Sequence, residues 1–137
     1  MPSPTAAVSN TVSNTVINIV THMYDRFNAR DIDGVLAALA DDVAWANGMD
    51  GGHVHGLDAV RDYWTRQWAI VSPHVRPVHF EQTADGALLV KVEQTIRDLA
   101  GQPLQGQTHG LHDKLVGHVF HVEGGKVLRF DIQDLAA

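Results

Sequence analysis

Val12, Val16, Ile19, Val20, Met23 and Phe27 recur largely at steps of three and four, the apolar stripe of an amphipathic helix. That stripe predicts a first helix ending near Arg30. Asp31 is placed to cap a second, short helix with Ile32, Val35, Leu36 and Leu39 as its buried face, and Asp41 and Asp42 are expected to stop it. Residues 43–47 then alternate like a first strand ahead of a Gly-rich loop over 48–56. A third helix follows from Val60, Trp64, Trp68 and Val71, with Asp58 in a first turn where the helix dipole favours an anion. Pro73 and Pro77 are expected to bracket its exit.

The remainder reads as strands over 74–83, 86–99, 107–122 and 126–134. Asp85-Gly86, Ala100-Gly101 and Gly124-Gly125 supply the positive φ that tight turns need. Strands joined in this way predict a meandering antiparallel sheet. Period-two alternation turns Val90, Val92, Gln94 and Ile96 toward the helices, and Lys91, Glu93, Thr95 and Arg97 away from them. In the next strand His112, Lys114, Val116, His118 and Phe120 share one face while Leu115, Gly117, Val119 and His121 share the other, and neither face is cleanly apolar. Apolar groups on both faces predict a core on one side and a second subunit on the other, hence a homodimer.

Composition narrows the classes. At 137 residues and 45% hydrophobic the chain supports one core and not two, with a flexible N-terminal segment over 1–12 and one domain over 13–137. A formal charge of −6 with scattered Lys and Arg gives no footprint for nucleic acid or an acidic membrane surface. The absence of cysteine excludes disulfides, thiolate nucleophiles and cysteine-rich zinc sites. Neither a signal-peptide pattern nor an apolar run long enough to span a bilayer is found, so a cytoplasmic location is expected.

Three segments carry a family resemblance: YDRFNARDIDGVLAALADDVAW at 24–45, GLDAVRDYW at 56–64 and HVFHVEGGKVLRFDIQD at 118–134. Their order and spacing resemble the nuclear-transport-factor-2-like superfamily, and within it the SnoaL-like polyketide cyclases, over about residues 16–134. The resemblance implies an α+β fold in which a cone-shaped, curved antiparallel sheet is closed by three N-terminal helices, a cystatin-like α+β barrel. It hosts isomerases, cyclases, dehydratases, epoxide hydrolases and noncatalytic domains, so fold alone selects no activity. Ketosteroid isomerases resemble the chain in outline, yet Asn47 stands where their base is expected, His118 where their protonated Asp is expected, and Met23, next to Tyr24, where their Tyr is expected. Limonene-type epoxide hydrolases need an Asp-Arg-Asp relay, and Val92 and Gln94 stand in two of its places. The cyclases match better: their Asn, His and Asp positions correspond to Asn47, His118 and Asp131. One residue is missing between the Gly-Gly turn and the acid, Val116 stands where Gln is frequent, and no obvious pocket Tyr is present.

The resemblance implies a cofactor-independent lyase or isomerase acting on a small apolar, polyketide-like carbonyl compound. Asp131 would abstract a proton next to the carbonyl, and His118 and Asn47 would stabilise the enolate oxygen. Trp45, Met23, Tyr24, Phe27, Trp64, Trp68, Gln94, Val116 and Phe120 are the candidate substrate-binding wall. Each has a plainer reading: Asp131 as a surface carboxylate, His118 as a structural histidine, Asn47 and Gln94 as groups satisfied by backbone, and the aromatic residues as core. A noncatalytic ligand-binding or dimerisation domain of the same fold is the alternative. His53 and His55 form an H-x-H pair with no identifiable further ligands, so no metal is expected.

Overall fold

The computed structural model describes residues 8–9, 14–47, 51–102 and 114–134. Helix α1 (Asn14–Asn28) buries Val20, Met23 and Tyr24, so the predicted stripe is the face it turns inward. It ends in a turn at Arg30, whose φ of 62° is a left-handed conformation that a non-glycine residue adopts only when its surroundings hold it. The guanidinium supplies that hold by donating to Ser72 Oγ at 2.8 Å and to the Phe27 carbonyl at 3.2 Å. Asp31 then caps α2 (Ile32–Leu36), its Oδ1 accepting from the Gly34 amide at 2.9 Å.

Asp41 and Asp42 do not stop a helix: α2 has already ended at Leu36, and both acids lie exposed within strand β2 (Leu39–Ala46). The segment expected to be a loop contains a further strand, β3 (His53–His55), paired antiparallel to β2. Gly51 and Gly52, at φ 84° and 71°, turn the chain between these strands, and hydrogen bonds join the Asn47 backbone to both. Residues 48–50 lie outside the described residues.

Helix α3 (Leu57–Trp68) buries Val60, Tyr63, Trp64 and Gln67. Pro73 and Pro77 do not bracket its exit; they lie within β4 (Ser72–Gln82), Pro77 at an irregularity in the pairing. Beyond the short pairing of β1 (Val8–Ser9) with Phe80 and Glu81, β4 has a single neighbour, so a missing proline N–H costs the ladder little. Val8 and Ser9 thus belong to the sheet rather than to a loose N-terminal segment; the rest of 1–12 lies outside the described residues.

Strands β5 (Leu88–Arg97), β6 (Lys114–Glu123) and β7 (Lys126–Asp134) follow, and residues 107–113 of the expected third strand lie outside the described residues. The sheet order is β1-β4-β5-β6-β7-β2-β3. Most pairs are antiparallel as expected, but β2 runs parallel to β7, so the first long strand lies beside the last and the sheet is not a pure meander. Irregular registers in β4, β7 and β2 bend it. The inward sets hold: Val90, Val92 and Ile96 of β5 and Val116, His118 and Phe120 of β6 are buried, with Gln94 half-buried among them. With the helices they enclose the core. No helix among the described residues is long and apolar enough to cross a membrane.

The Asp31 side chain closes the N-terminus of α2. Asp31→Ala is expected to lower stability by about 1 kcal/mol, seen as a lower urea midpoint with an unchanged slope.

Candidate functional site

Between the helices and the inner sheet face lies a cavity of about 140 Å³. Spacing explains its walls. Positions 23, 24 and 27 of α1 stack on one helical face and bring in Met23, Tyr24 and Phe27, while positions 63, 64 and 67 of α3 do the same for Tyr63, Trp64 and Gln67. Alternation along the strands adds Trp45, Gln94, His118, Phe120, Phe130 and Ile132. Trp45 is the keystone: it stacks on Phe130 with ring centroids 4.1 Å apart and meets Trp64 edge-on at 5.1 Å.

Two polar pairs interrupt this apolar wall. The Tyr24 hydroxyl lies 2.8 Å from His118 Nδ1, with both side chains buried. The rings stack at 5.9 Å, and Phe130 meets the imidazole edge-on at 4.8 Å. Burial holds the Tyr24 hydroxyl well above the usual phenol range, so it keeps its proton. His118 is that hydroxyl's hydrogen-bond partner among the described residues. The arrangement that uses both groups has Tyr24 donating to Nδ1, with the imidazole proton on Nε2. On α3, Gln67 Nε2 donates to the Tyr63 hydroxyl at 3.1 Å, one helical turn away.

Several expected site residues stand elsewhere. Asp131 does not converge with His118: it pairs with Val119, while Phe130 and Ile132 face inward opposite Phe120 and His118. Physically, Gly124-Gly125 and a bulge near Leu128 set the register, and in the shortened segment they leave position 131 on the outer face. There Asp131 accepts from His53 Nε2 at 2.7 Å and from Arg129 Nε at 2.8 Å. Asn47 lies past the end of β2, where its backbone closes the turn to β3, and it does not line the cavity. Val116 is sealed in the core behind the wall. Trp68 stacks on the far side of Trp64 at 6.0 Å, beneath the Arg30 guanidinium. Met23, Tyr24, Phe27, Trp45, Trp64, Gln94 and Phe120 do line the cavity, as does His118.

The cavity does hold tyrosines: Tyr24, already a candidate for the wall, and Tyr63. Tyr63 and Gln67 escaped the sequence reading because a stripe traced in steps of four through Val60, Trp64 and Trp68 leaves out the i+3 positions on the same face. His53 and His55 have ring centroids 6.4 Å apart, with His53 committed to Asp131. Among the described residues no group of three or more His, Cys, Asp or Glu is arranged to hold a metal.

A family model described as a SnoaL-like domain matches residues 20–130. Among solved structures, an NTF2-like protein of unknown function from Burkholderia pseudomallei is 26% identical, with 90% of this chain and 92% of that chain covered and a TM-score of 0.71. A provisionally assigned polyketide cyclase from Sinorhizobium meliloti is 19% identical, over 88% of this chain and 100% of that chain, with a TM-score of 0.69. An LEH-like epoxide hydrolase of M. tuberculosis is 22% identical, over 88% of this chain and 83% of that chain, with the same TM-score of 0.69. No curated protein matches the chain.

The outer-face cluster makes a pH prediction. Burial pushes the Asp131 carboxyl up, but hydrogen bonds and charge from Arg129 and His53 outweigh it and hold the pKa below its ordinary 3.8. A depressed carboxylate contributes stability above its unfolded pKa and loses it as pH falls through the folded value. Asp131→Asn is therefore expected to lower the urea midpoint at about pH 6, with the gap from the parent closing toward about pH 3.

Proposed function

Because this chain belongs to the SnoaL-like family, we propose that its cavity carries out a cofactor-independent cyclase, isomerase or lyase reaction on a small, largely apolar carbonyl compound. The observation that carries this reading is the buried Tyr24–His118 pair on an apolar wall. No carboxylate lines the cavity among the described residues, and an imidazole is the side chain that takes and returns a proton near neutral pH. The base proposed here is thus His118 in place of Asp131.

A bound carbonyl oxygen gives the Tyr24 hydroxyl a new acceptor. The imidazole then carries its proton on Nδ1, donating to the Tyr24 oxygen, and Nε2 holds the lone pair. The C–H bond next to the carbonyl breaks, its proton passes to Nε2, and the enolate oxygen is held by the Tyr24 O–H. Returning that proton at another carbon completes an isomerisation; attack of the enolate on a second carbonyl closes a ring, and the alkoxide so formed takes the proton back from Nε2. The high pKa of Tyr24 suits a hydrogen-bond donor that is not meant to ionise. Apolar surroundings strengthen the hydrogen bond to a developing oxyanion.

Self-association through the outer sheet face is a second element of the proposal. Leu115 stands 48% exposed on β6 opposite Glu93, and half-buried Val119 and Leu89 pair further along the same face. Sedimentation of the parent should give a dimer and that of Leu115→Glu a monomer; a parent monomeric at micromolar concentration ends the idea.

The chemistry is checked with β-tetralone in D₂O, following loss of the α-proton signal by NMR. The parent is expected to accelerate exchange, His118→Gln to lose on the order of 10² to 10⁴ of that acceleration, and Tyr24→Phe about 10². Binding of the ketone without accelerated exchange would replace the enzyme by a ligand-binding domain.

A further inference from the structure

The second polar pair has no part in that chemistry. Gln67 is 5% exposed and Tyr63 4%, both line the cavity, and they lie on α3, away from the α1 and β6 positions of Tyr24 and His118. The hydrogen bond of the Gln67 side chain among the described residues is its donation to Tyr63. The amide oxygen has no hydrogen-bond partner among the described residues, on a side chain that lines the cavity. Leucine or methionine would fill the same wall without burying an amide. An amide kept at such a position, with its oxygen unspent, is matched to something that enters.

We infer that the cavity's occupant carries two oxygen functions: the carbonyl at Tyr24–His118 and a hydroxyl at Tyr63–Gln67, on a planar or near-planar ring frame. The inference rests on the carbonyl reading of the first pair. A hydroxyl is the group that fits the second, because it donates to the amide oxygen and also accepts, and so satisfies the amide in either orientation of its O and N. The frame between the poles is set by the wall. Trp45 stacked on Phe130 and edge-on to Trp64 presents flat surfaces, and a volume of about 140 Å³ is of the order that holds a compact ring system. The ligand class is a hydroxylated cyclic ketone, with Gln67 as the residue that selects the hydroxyl.

Isothermal titration of β-tetralone and its ring-hydroxylated isomers tests this as a ratio of affinities. The best-placed isomer should bind the parent protein roughly five- to tenfold more tightly than β-tetralone, the worth of one or two buried hydrogen bonds. In Gln67→Leu that ratio should fall to about one. Tyr63→Phe, which removes a single oxygen, should lower the ratio too and serves where the leucine variant does not fold. An advantage that survives Gln67→Leu, or no advantage for any isomer in the parent, overturns the inference. If neither β-tetralone nor its isomers bind, the carbonyl reading falls and takes the inference with it. If the hydroxyl advantage tracks Gln67 while no deuterium exchange occurs, proton abstraction fails and the inference stands.

Discussion

The β6–β7 hairpin turns through Gly124 and Gly125, both at positive φ, and takes up an irregularity between His121 and Val122 before its register settles at Phe120 opposite Phe130. Every later position follows from that offset. Because strand side chains alternate, placing Phe130 inward also places Ile132 inward and sends Arg129 and Asp131 outward. Phe130 then meets both Trp45, across the parallel β2–β7 pairing, and His118 on β6. The imidazole is thereby clamped edge-on by Phe130 and stacked by Tyr24, which fixes the plane in which its nitrogens can act. A hairpin shifted by one residue would exchange Phe130 for a charged neighbour and dismantle both contacts.

The same offset gives Asp131 a structural role. Paired with His53 and Arg129, it ties the edge strand β3 to β7 across β2, where the ladder itself supplies no direct bond between them. The half-buried setting makes this bridge more useful than a fully exposed pair and spares it the desolvation of a core ion pair. Trp45 and Ala46, whose cavity surface matters, lie on the strand that this bridge spans.

Local periodicity made much of this legible from the sequence. The helical stripe of α1, the Asp31 cap and the inward sets of β5 and β6 rest on spacings of three, four and two that neighbours in the chain decide. What stayed hidden depends on contacts distant in sequence. The parallel docking of β2 on β7 has no local signature, and β3 is three residues held by β2. The face of Asp131 depended on how a turn and a bulge share one missing residue, which alternation alone does not fix. Tyr24 was among the candidates, but its bond to His118 joins residues 94 positions apart and emerges only when α1 lies across β6.

The inner and outer faces of the sheet divide the polar chemistry by charge. Outside are Asp131, Arg129, His53 and the Arg76–Glu93 pair, all in reach of water. Inside are two hydroxyls, two amides and an imidazole, none of which needs a permanent charge. A carboxylate in this cavity would require a cationic or multiply hydrogen-bonded partner to stay ionised, and no Lys or Arg lines the wall among the described residues. Neutral groups impose a different economy: in the proposed reaction charge arises only when a substrate proton moves, as an imidazolium and an enolate created side by side. Their mutual attraction in an apolar cavity lowers the cost of separating that charge. On that proposal the reaction is tied to carbon acids already loosened by a carbonyl, for which a neutral base and one good oxyanion donor suffice.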